Sequence, residues 1–201
     1  GTIVDATFVD APRQRNSRDE NKKIKNGVIP EEWEKPENKS KLAQKDIDAD
    51  WTKKNGERHF GYKDHVKCDA DSKLITNYSV TSASVHDSQR CLVFIGQEDE
   101  VLYADSAYSG KPIALALPEN CKNQICEKGY RNSPLTSEQK MNNRRKSRIR
   151  CRIEQIFGFM TGAMHGITIR SIGITRAWMN IGITNLVYNF CRYSYLKRAS
   201  A

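Results

Sequence analysis

Short runs of apolar residues alternate with turn-forming residues through the first half of the chain, as in sequences that fold into strands. Residues 1–11 (GTIVDATFVDA) are rich in β-branched and aromatic side chains and predict a first strand. Residues 60–82 predict two further strands joined by a turn at residues 69–72. The apolar run VLYA at residues 101–104 predicts a fourth strand, and residues 123–126 predict a fifth.

Helical spacing of the apolar residues begins near residue 86. The sequence HDS at residues 86–88 places Asp87 or Ser88 to cap a helix. Residues 113–117 predict a short helix or a turn, which Pro118 stops.

The two longest helical patterns lie near the end of the chain. The first covers residues 137–164, with Ser137 as its N-cap. The second is amphipathic over residues 175–197, with Trp178 expected in the core. The order strand, strand, strand, helix, strand, helix, strand, helix, helix fits an α/β domain.

Residues 12–58 differ in character, because charged residues and prolines replace most of the apolar ones. We interpret this segment as a charged insertion or loop after the first strand that stays mobile unless it binds something. The basic residues at its N-terminal end can follow phosphates, although a solvated loop of mixed charge explains them equally well. Trp33 and Trp51 are large aromatic residues that either pack the insertion down or contact DNA or a second subunit.

Composition narrows the class of protein. A length of 201 residues suits one domain, and a net charge of +9 favours a polyanionic partner, with nucleic acid ahead of a membrane. No secretory signal opens the chain, and no apolar run reaches the ~18 residues that a membrane-spanning helix needs. The six cysteines contain no CxxC pair, which excludes a zinc ribbon and predicts free thiols in a reducing compartment.

Three carboxylates stand out by their setting. Asp5 lies within the first predicted strand, and Asp105 follows VLYA at the carboxyl end of a strand, where open α/β sheets build their sites. Glu154 lies in the long predicted helix, one turn after Arg150 and on the flank of an apolar stripe. The stripe consists of Ile149, Ile153, Ile156, Phe157 and Met160. Glu154 is therefore expected at the edge of the buried surface.

The same helix carries a dense run of basic side chains, namely Lys140, Arg144, Arg145, Lys146, Arg148, Arg150 and Arg152. Converging carboxylates beside such a surface suit Mg²⁺, which binds through a few carboxylates and phosphate oxygens, and two such ions support phosphoryl transfer. The arginines would then hold a nucleic-acid backbone. An acid within a basic helix is most often an ion-pair partner, and spacing alone favours that role for Glu154 over metal binding.

Several motifs resemble the catalytic domain of bacterial insertion-sequence transposases of the DDE type, in the group of insertion sequences 4 and 5. The motifs are TIVDATFVDAP at 2–12, YADSAYSG at 103–110 and RCRIEQIFGFM at 150–160. HFGYKDHVKCDADSKLI and SVTSASVHDSQ, between the first two acids, are also similar to this family. The resemblance extends over nearly the whole chain, and its motifs are specific in combination and order.

The resemblance implies an RNase H-like fold, a mixed five-stranded sheet flanked by helices. Its first and fourth strands lie side by side, which would bring Asp5 and Asp105 together, and a late helix would deliver Glu154. All three acids would then bind Mg²⁺, or Mn²⁺ as a substitute. The implied chemistry is cleavage at the transposon ends, followed by attack of the freed 3′-hydroxyl on target DNA.

The partners follow from the same resemblance. Arg150, Lys146, Arg144 and Arg148 are the predicted phosphate contacts. Transposition needs two DNA ends held together, so a homodimer on DNA is expected, in the bacterial cytoplasm at the nucleoid. Two other classes remain open, a non-catalytic DNA-binding relic and a plain nuclease of the same fold.

The sequence departs from the family pattern in two places. Related transposases often have Tyr, Arg, Glu and Lys around the last acid, where this chain has Ser147, Arg150, Glu154 and Thr161. The Arg and Glu match, but the Lys that would neutralise a phosphate is missing. Family members also carry a helical DNA-binding segment before the first Asp, and only four residues precede Asp5. We therefore expect recognition of the transposon ends to lie outside this chain.

Other residues admit competing roles. Asp10 lies on the same strand as Asp5, but period-2 alternation directs it to the opposite face. Asp69 and Asp71 are placed for a hairpin tip. His86 lies where the family has a similar HDS sequence, and a capping or packing role explains it as well as a functional one.

Overall fold

A six-stranded mixed sheet organises the chain over residues 1–54 and 56–200, which the computed structural model describes. The first strand of the chain lies at the centre of the sheet, where it pairs antiparallel with the third strand and parallel with the fifth. The second and fourth strands both pair antiparallel with the long third strand, and the sixth is parallel to the fifth. The strands are β1 (Thr2–Asp10), β2 (Asp50–Lys54), β3 (Glu57–Asp69), β4 (Ile75–Ser82), β5 (Val101–Ala104) and β6 (Lys122–Ile125).

Helices lie in the insertion, between the later strands and at the C-terminal end. They are α1 (Arg18–Lys25), α2 (Glu31–Glu34), α3 (Lys39–Ala43), α4 (Ser88–Phe94), α5 (Lys111–Ala116), α6 (Ser137–Arg150), α7 (Arg152–Gly162) and α8 (Ile174–Ala199). Helices α7 and α8 cover one face of the sheet, and α4 and α5 cover the other. This arrangement agrees with the predicted RNase H-like fold.

Successive side chains of β1 point to opposite faces of the sheet, so each packs against the helices on its own face. Ile3 packs against α7, and Val9 lies in the cluster beneath α8, whereas Val4 packs with α4 and α5. Asp5 has the same parity as Ile3 and therefore faces α7. Asp10 has the opposite parity and is exposed at the end of β1.

The sixth strand comes from the segment that we predicted to be a mobile insertion. Strand β2 pairs with the first part of β3, so ordered structure begins before residue 60. Trp33 is completely buried, and its indole Nε1 donates a 2.7 Å hydrogen bond to Glu20 Oε1. Trp51 packs against Phe60. Trp33 is thus enclosed by contacts within the segment, whereas Ala49 and Trp51 join the apolar cluster beneath α8; the polar composition of the segment concealed both.

The long helical pattern at residues 137–164 forms two helices that meet at Cys151, where ψ is −9°. Its N-cap is Thr136 rather than Ser137, because Thr136 forms a capping box with Gln139. The predicted apolar stripe is confirmed, since Ile153, Ile156 and Met160 are all buried.

One prediction for the other helices is wrong, and one is confirmed in position only. Trp178 is 40% exposed and packs beside Tyr78, because Ala177, one position away, takes the buried face of α8. Asp87 is the N-cap residue of α4, but its side chain makes no capping hydrogen bond and instead accepts one from Lys63 Nζ at 2.8 Å. His86 Nδ1 lies 2.8 Å from the Ser88 hydroxyl, which is a local contact at the start of α4.

The turn between β3 and β4 forms as predicted. Asp69 Oδ1 accepts hydrogen bonds from the backbone N–H groups of Asp71 and Ser72, which fixes the hairpin tip. All six cysteines are free. Within the described part of the chain, every helix is too short or too polar to cross a membrane.

Candidate active site

Parallel pairing of β1 with β5 brings the two aspartates together. Ile3 is in register with Tyr103, so Asp5 and Asp105, each two residues further on, lie at corresponding positions. Asp105 is exposed just beyond the end of β5, where its Oδ1 accepts a 2.6 Å hydrogen bond from the Ser106 N–H. Asp5 is more enclosed, with 17% of its side chain exposed.

The surroundings of Asp5 act on its pKa in both directions. Burial raises the pKa, because the charged form loses hydration, and the nearby Asp105 carboxylate raises it further. The Ala6 N–H, which donates to Asp5 Oδ1 at 2.8 Å, and the charge of Arg150 lower it. Burial outweighs the opposing effects, so the pKa of Asp5 lies above its ordinary value. The charge of Asp105 therefore acts on Asp5.

Arg150 connects the third acid to the sheet. Its Nη2 donates a 2.6 Å hydrogen bond to Glu154 Oε1, and its Nη1 lies 3.3 Å from Asp5 Oδ2. Burial alone would lower the pKa of Arg150, but the hydrogen bond and charge of Glu154, with the charges of both aspartates, raise it. One guanidinium thus holds the helix-borne acid and the strand-borne acid at the same time.

The donor set fits a hard divalent cation in its chemistry. Asp5, Asp105 and Glu154 offer only carboxylate oxygens, which are the ligands that Mg²⁺ and Mn²⁺ prefer. The side-chain arrangement is that of an ion-pair network, and among the described residues no three His, Cys, Asp or Glu side chains have the geometry of a metal site. Glu154 therefore occupies the ion-pair role that its spacing favours, and metal ligation by it stays a prediction.

The predicted phosphate contacts divide into two pairs. Arg150 and Lys146 are held within the protein; Lys146 Nζ donates to the Ile125 carbonyl at 2.9 Å and lies 3.6 Å from Glu127. Arg144 and Arg148 are exposed on α6. Together with Lys140, both line a shallow, open groove of about 610 Å³ along one face of α6, which also reaches Ser147 and Cys151. A basic groove thus starts within one helical turn of Arg150.

Ser147 and Thr161, which stand where related transposases have Tyr and Lys, make local contacts in the structure. The Thr161 hydroxyl donates to the Phe157 carbonyl of its own helix at 2.9 Å. Ser147 Oγ lies 3.8 Å from Cys126 Sγ. Neither side chain supplies a positive charge beside Glu154.

Sequence reasoning missed two residues near the aspartates. Lys54, at the end of β2, is close enough to lower the pKa of Asp5. In the sequence it is one lysine among many charged residues of the insertion, so no motif distinguishes it. Tyr108 is 1% exposed and its hydroxyl has no hydrogen-bond partner among the described residues. Burial and the charge of Asp5 raise its pKa. The motif YADSAYSG contains Tyr108, but a loop position does not reveal a buried hydroxyl.

Comparisons with known proteins find a family and a relative for the chain. A family model described as "Transposase DDE domain" matches residues 1–190. The transposase for insertion sequence element IS1106 of Neisseria meningitidis serogroup B is 31% identical over 163 residues, which cover 78% of this chain and 52% of that protein. The chain therefore spans about half the length of that curated relative. No solved structure matches the chain.

Proposed function

Because the chain belongs to the transposase DDE domain family, we propose that it is the catalytic domain of a transposase that cuts and joins DNA with divalent metal ions. The reaction is hydrolysis at the transposon ends, which frees a 3′-hydroxyl, and attack of that hydroxyl on target DNA. The observation that carries the proposal is that Asp5 lies beside Asp105 and that Arg150, at the end of the basic helix α6, donates to both Asp5 and Glu154.

Asp5, Asp105 and Glu154 would hold the metal, Mg²⁺ or Mn²⁺ in its place. Bound there, the ions would activate the attacking oxygen and stabilise the charge that develops on the phosphate. Arg150 orients Asp5 and Glu154, because it donates to both. Its guanidinium also places a fixed positive charge where a phosphate of the DNA would lie, and the planar group suits bidentate contacts with phosphate oxygens.

The DNA backbone would follow the groove on α6. Arg144 and Arg148 are exposed there and carry the first proposed phosphate contacts, while Lys146 and Arg150 act closer to the carboxylates. Contacts of this kind neutralise the backbone without reading the sequence. Recognition of particular transposon ends is assigned to none of these residues.

Two DNA ends must be joined in one event, so we propose a homodimer on DNA. The expected place of action is the bacterial cytoplasm, at the nucleoid. These two statements extend the proposal from the catalytic site to the assembly that would use it.

The test is strand transfer of duplexes that carry the pre-cut element ends into a supercoiled plasmid, in Mg²⁺ or Mn²⁺. We expect joined product with the unmodified protein and none with Asp105→Asn. The matched control is Asp10→Asn, which neutralises an exposed carboxylate at the end of the same central strand.

Each other result overturns the proposal in a different way. DNA binding without metal-dependent product would identify a non-catalytic relic. Hydrolysis of the plasmid without joining would identify a plain RNase H-like nuclease. Joining that survives Asp105→Asn would show that the assigned acids are wrong.

A further inference from the structure

The hairpin of β2 and β3 contacts the part of β1 that follows Asp5. Phe8, three residues after Asp5, stacks on His59 of β3, with ring centroids 4.1 Å apart and an interplanar angle of 6°. The ammonium group of Lys54, at the C-terminal end of β2, lies 5.6 Å from the centre of the same Phe8 ring. A cation over an aromatic face is attracted to it, so Phe8 helps to fix the position of this lysine.

Backbone contacts hold the base of this hairpin against β1. The Ala11 N–H donates to the Phe60 carbonyl at 2.9 Å, and β1 pairs with β3 as far as Gly61. Gly61 has a φ of +145°, and a Cβ at this position would clash with the Val9 carbonyl oxygen. Glycine therefore permits the close approach of β3 to the end of β1. The hairpin is thus held on the strand that carries Asp5.

Two cations approach Asp5 from the two faces of the sheet. Asp5 faces α7, and Arg150 reaches it from that face at 3.3 Å. Phe8 has the opposite parity to Asp5, so its ring and the Lys54 that contacts it lie on the face of α4. The charge of Lys54 lowers the pKa of Asp5, in agreement with this proximity. The carboxylate thus lies between a guanidinium on one side and an ammonium on the other.

Lys54 differs from its neighbours because no carboxylate holds it. Arg150 donates to two carboxylates. Lys63, the other lysine at the Phe8 ring, donates to Asp87 Oδ1 at 2.8 Å and is 10% exposed. Lys54 is exposed, and among the described residues no carboxylate lies within ion-pair distance of it. Its charge is therefore available to an anion from outside the chain.

We propose that Lys54 binds a backbone phosphate of the reacting DNA strand, on the side of the carboxylates opposite to Arg150. Carboxylates and a phosphate repel each other at short range, and an ammonium beside them offsets that repulsion. Lysine acts on phosphate as a point charge on a flexible stem, so it needs no bidentate geometry. The contact holds the strand at the site without reading its sequence.

This inference rests on the proposed function and deepens it, because it gives the insertion a part in the active site. The α6 groove and the hairpin would then contact the DNA from two sides of the acids. Its test measures binding without divalent metal, so the phosphate contact and the metal-dependent chemistry are seen separately.

The experiment pairs a lysine variant with single uncharged phosphates in the DNA. Duplexes with the pre-cut element end carry one methylphosphonate, placed in turn at the phosphates nearest the reactive 3′-hydroxyl. Binding is measured by fluorescence anisotropy. At the contacted position, the methylphosphonate should weaken binding of the wild type by roughly tenfold. It should weaken binding of Lys54→Gln by less than about twofold, because that variant has already lost the contact.

Lys53→Gln is the matched control. It removes the same charge from the adjacent exposed position of β2, whose side chain points to the opposite face. This variant should keep the full sensitivity to methylphosphonate. Lys54→Arg retains the positive charge and should restore most of the sensitivity. Because Lys54 is exposed, its variants should unfold in urea at the wild-type midpoint.

Equal sensitivity of the wild type and Lys54→Gln at every position overturns the inference. So does a wild type that no methylphosphonate weakens, or an equal loss of sensitivity in Lys53→Gln. Strand transfer in Mg²⁺ is measured on the same proteins. Coupling to a phosphate without joined product would contradict the proposed function and leave the Lys54 contact standing. Joined product without coupling would contradict the Lys54 contact alone.

Discussion

Arg150 donates a 2.6 Å hydrogen bond to Glu154, which lies one helical turn further along the chain, across the end of α6. The same guanidinium reaches Asp5 Oδ2 at 3.3 Å. A cation supplied by the protein thus lies between two of the three acids that are proposed to bind a metal. Arg150 and a metal ion would attract the same carboxylates, so their charges oppose each other.

The substitution Arg150→Gln should therefore separate metal binding from catalysis. Removal of one positive charge within a few ångströms of the acids should tighten Mn²⁺ binding by roughly tenfold, measured by titration without DNA. Strand transfer should fall, because the charge that faces the phosphate is lost. The control is Arg144→Gln, which removes an exposed charge from the same basic helix. Weaker Mn²⁺ binding in Arg150→Gln would contradict the assigned competition.

The exposed arginines of α6 should dominate the electrostatic part of DNA binding. In the double variant Arg144→Ala/Arg148→Ala, the slope of log affinity against log salt should decrease by about 2, one for each lost phosphate contact. The measurement is fluorescence anisotropy with a duplex at several salt concentrations. Lys197→Ala/Arg198→Ala removes two charges from the end of α8 and should leave the slope nearly unchanged. Equal effects of the two double variants would mean that DNA does not prefer α6.

The fold was predictable where a periodic pattern and a local signal agreed. The hairpin of β3 and β4 and the apolar stripe of α7 are examples, since alternation, turn chemistry and helical spacing are all local. Strand β2 was not predictable, because DWTKK has few apolar residues and gains its partner only through β3. Trp33 lies in a segment whose average composition is polar, so a single buried side chain left no periodic trace.

The residues of the site were predictable from the sequence, but the ion pair between Arg150 and Asp5 was not. Strand order and the motif resemblance bring Asp5 beside Asp105, and helical spacing places Arg150 one turn from Glu154. The contact between Arg150 and Asp5 spans 145 positions in the chain, so it depends on the packing of α7 against β1. No spacing rule within one element encodes such a contact.

Trp33 should hold the helices of the insertion together. Its ring is fully buried, Glu20 accepts its N–H, and the ammonium groups of Lys41 and Lys45 lie 5.3 Å from its ring. Trp33→Ala should cost about 3–5 kcal/mol in the free energy of unfolding, or open residues 12–58 locally to proteolysis. Urea unfolding and limited proteolysis measure the two forms of the effect. Trp51→Ala, at a half-buried ring, should cost less; the reverse order would contradict a core built on Trp33.

Asp64 should make the stability of the protein depend on pH. It is completely buried between β3 and α8, where burial raises its pKa to about 8 and the hydrogen bond from Asn185 Nδ2 opposes the rise. Asp64 Oδ2 and Asn185 Oδ1 both lack a hydrogen-bond partner among the described residues. A proton on Oδ2 would donate to Asn185 Oδ1, so the neutral acid satisfies both atoms at once.

An acid whose pKa rises on folding binds more protons in the native than in the unfolded state between the two pKa values. The stability contributed by Asp64 is therefore present below about pH 4 and is lost as pH rises toward about 8. Asp64→Asn stays neutral and should remove this loss, so it should be more stable than the wild type at pH 8 by more than at pH 5. Buried His65, whose pKa burial lowers to about 4, weakens the fold as pH falls, but it is common to both proteins and cancels in the difference. The measurement is urea unfolding of both proteins from pH 5 to 9, with Asp10→Asn as the control at an exposed carboxylate. A difference that does not change with pH would mean that Asp64 is ionised in the folded chain throughout.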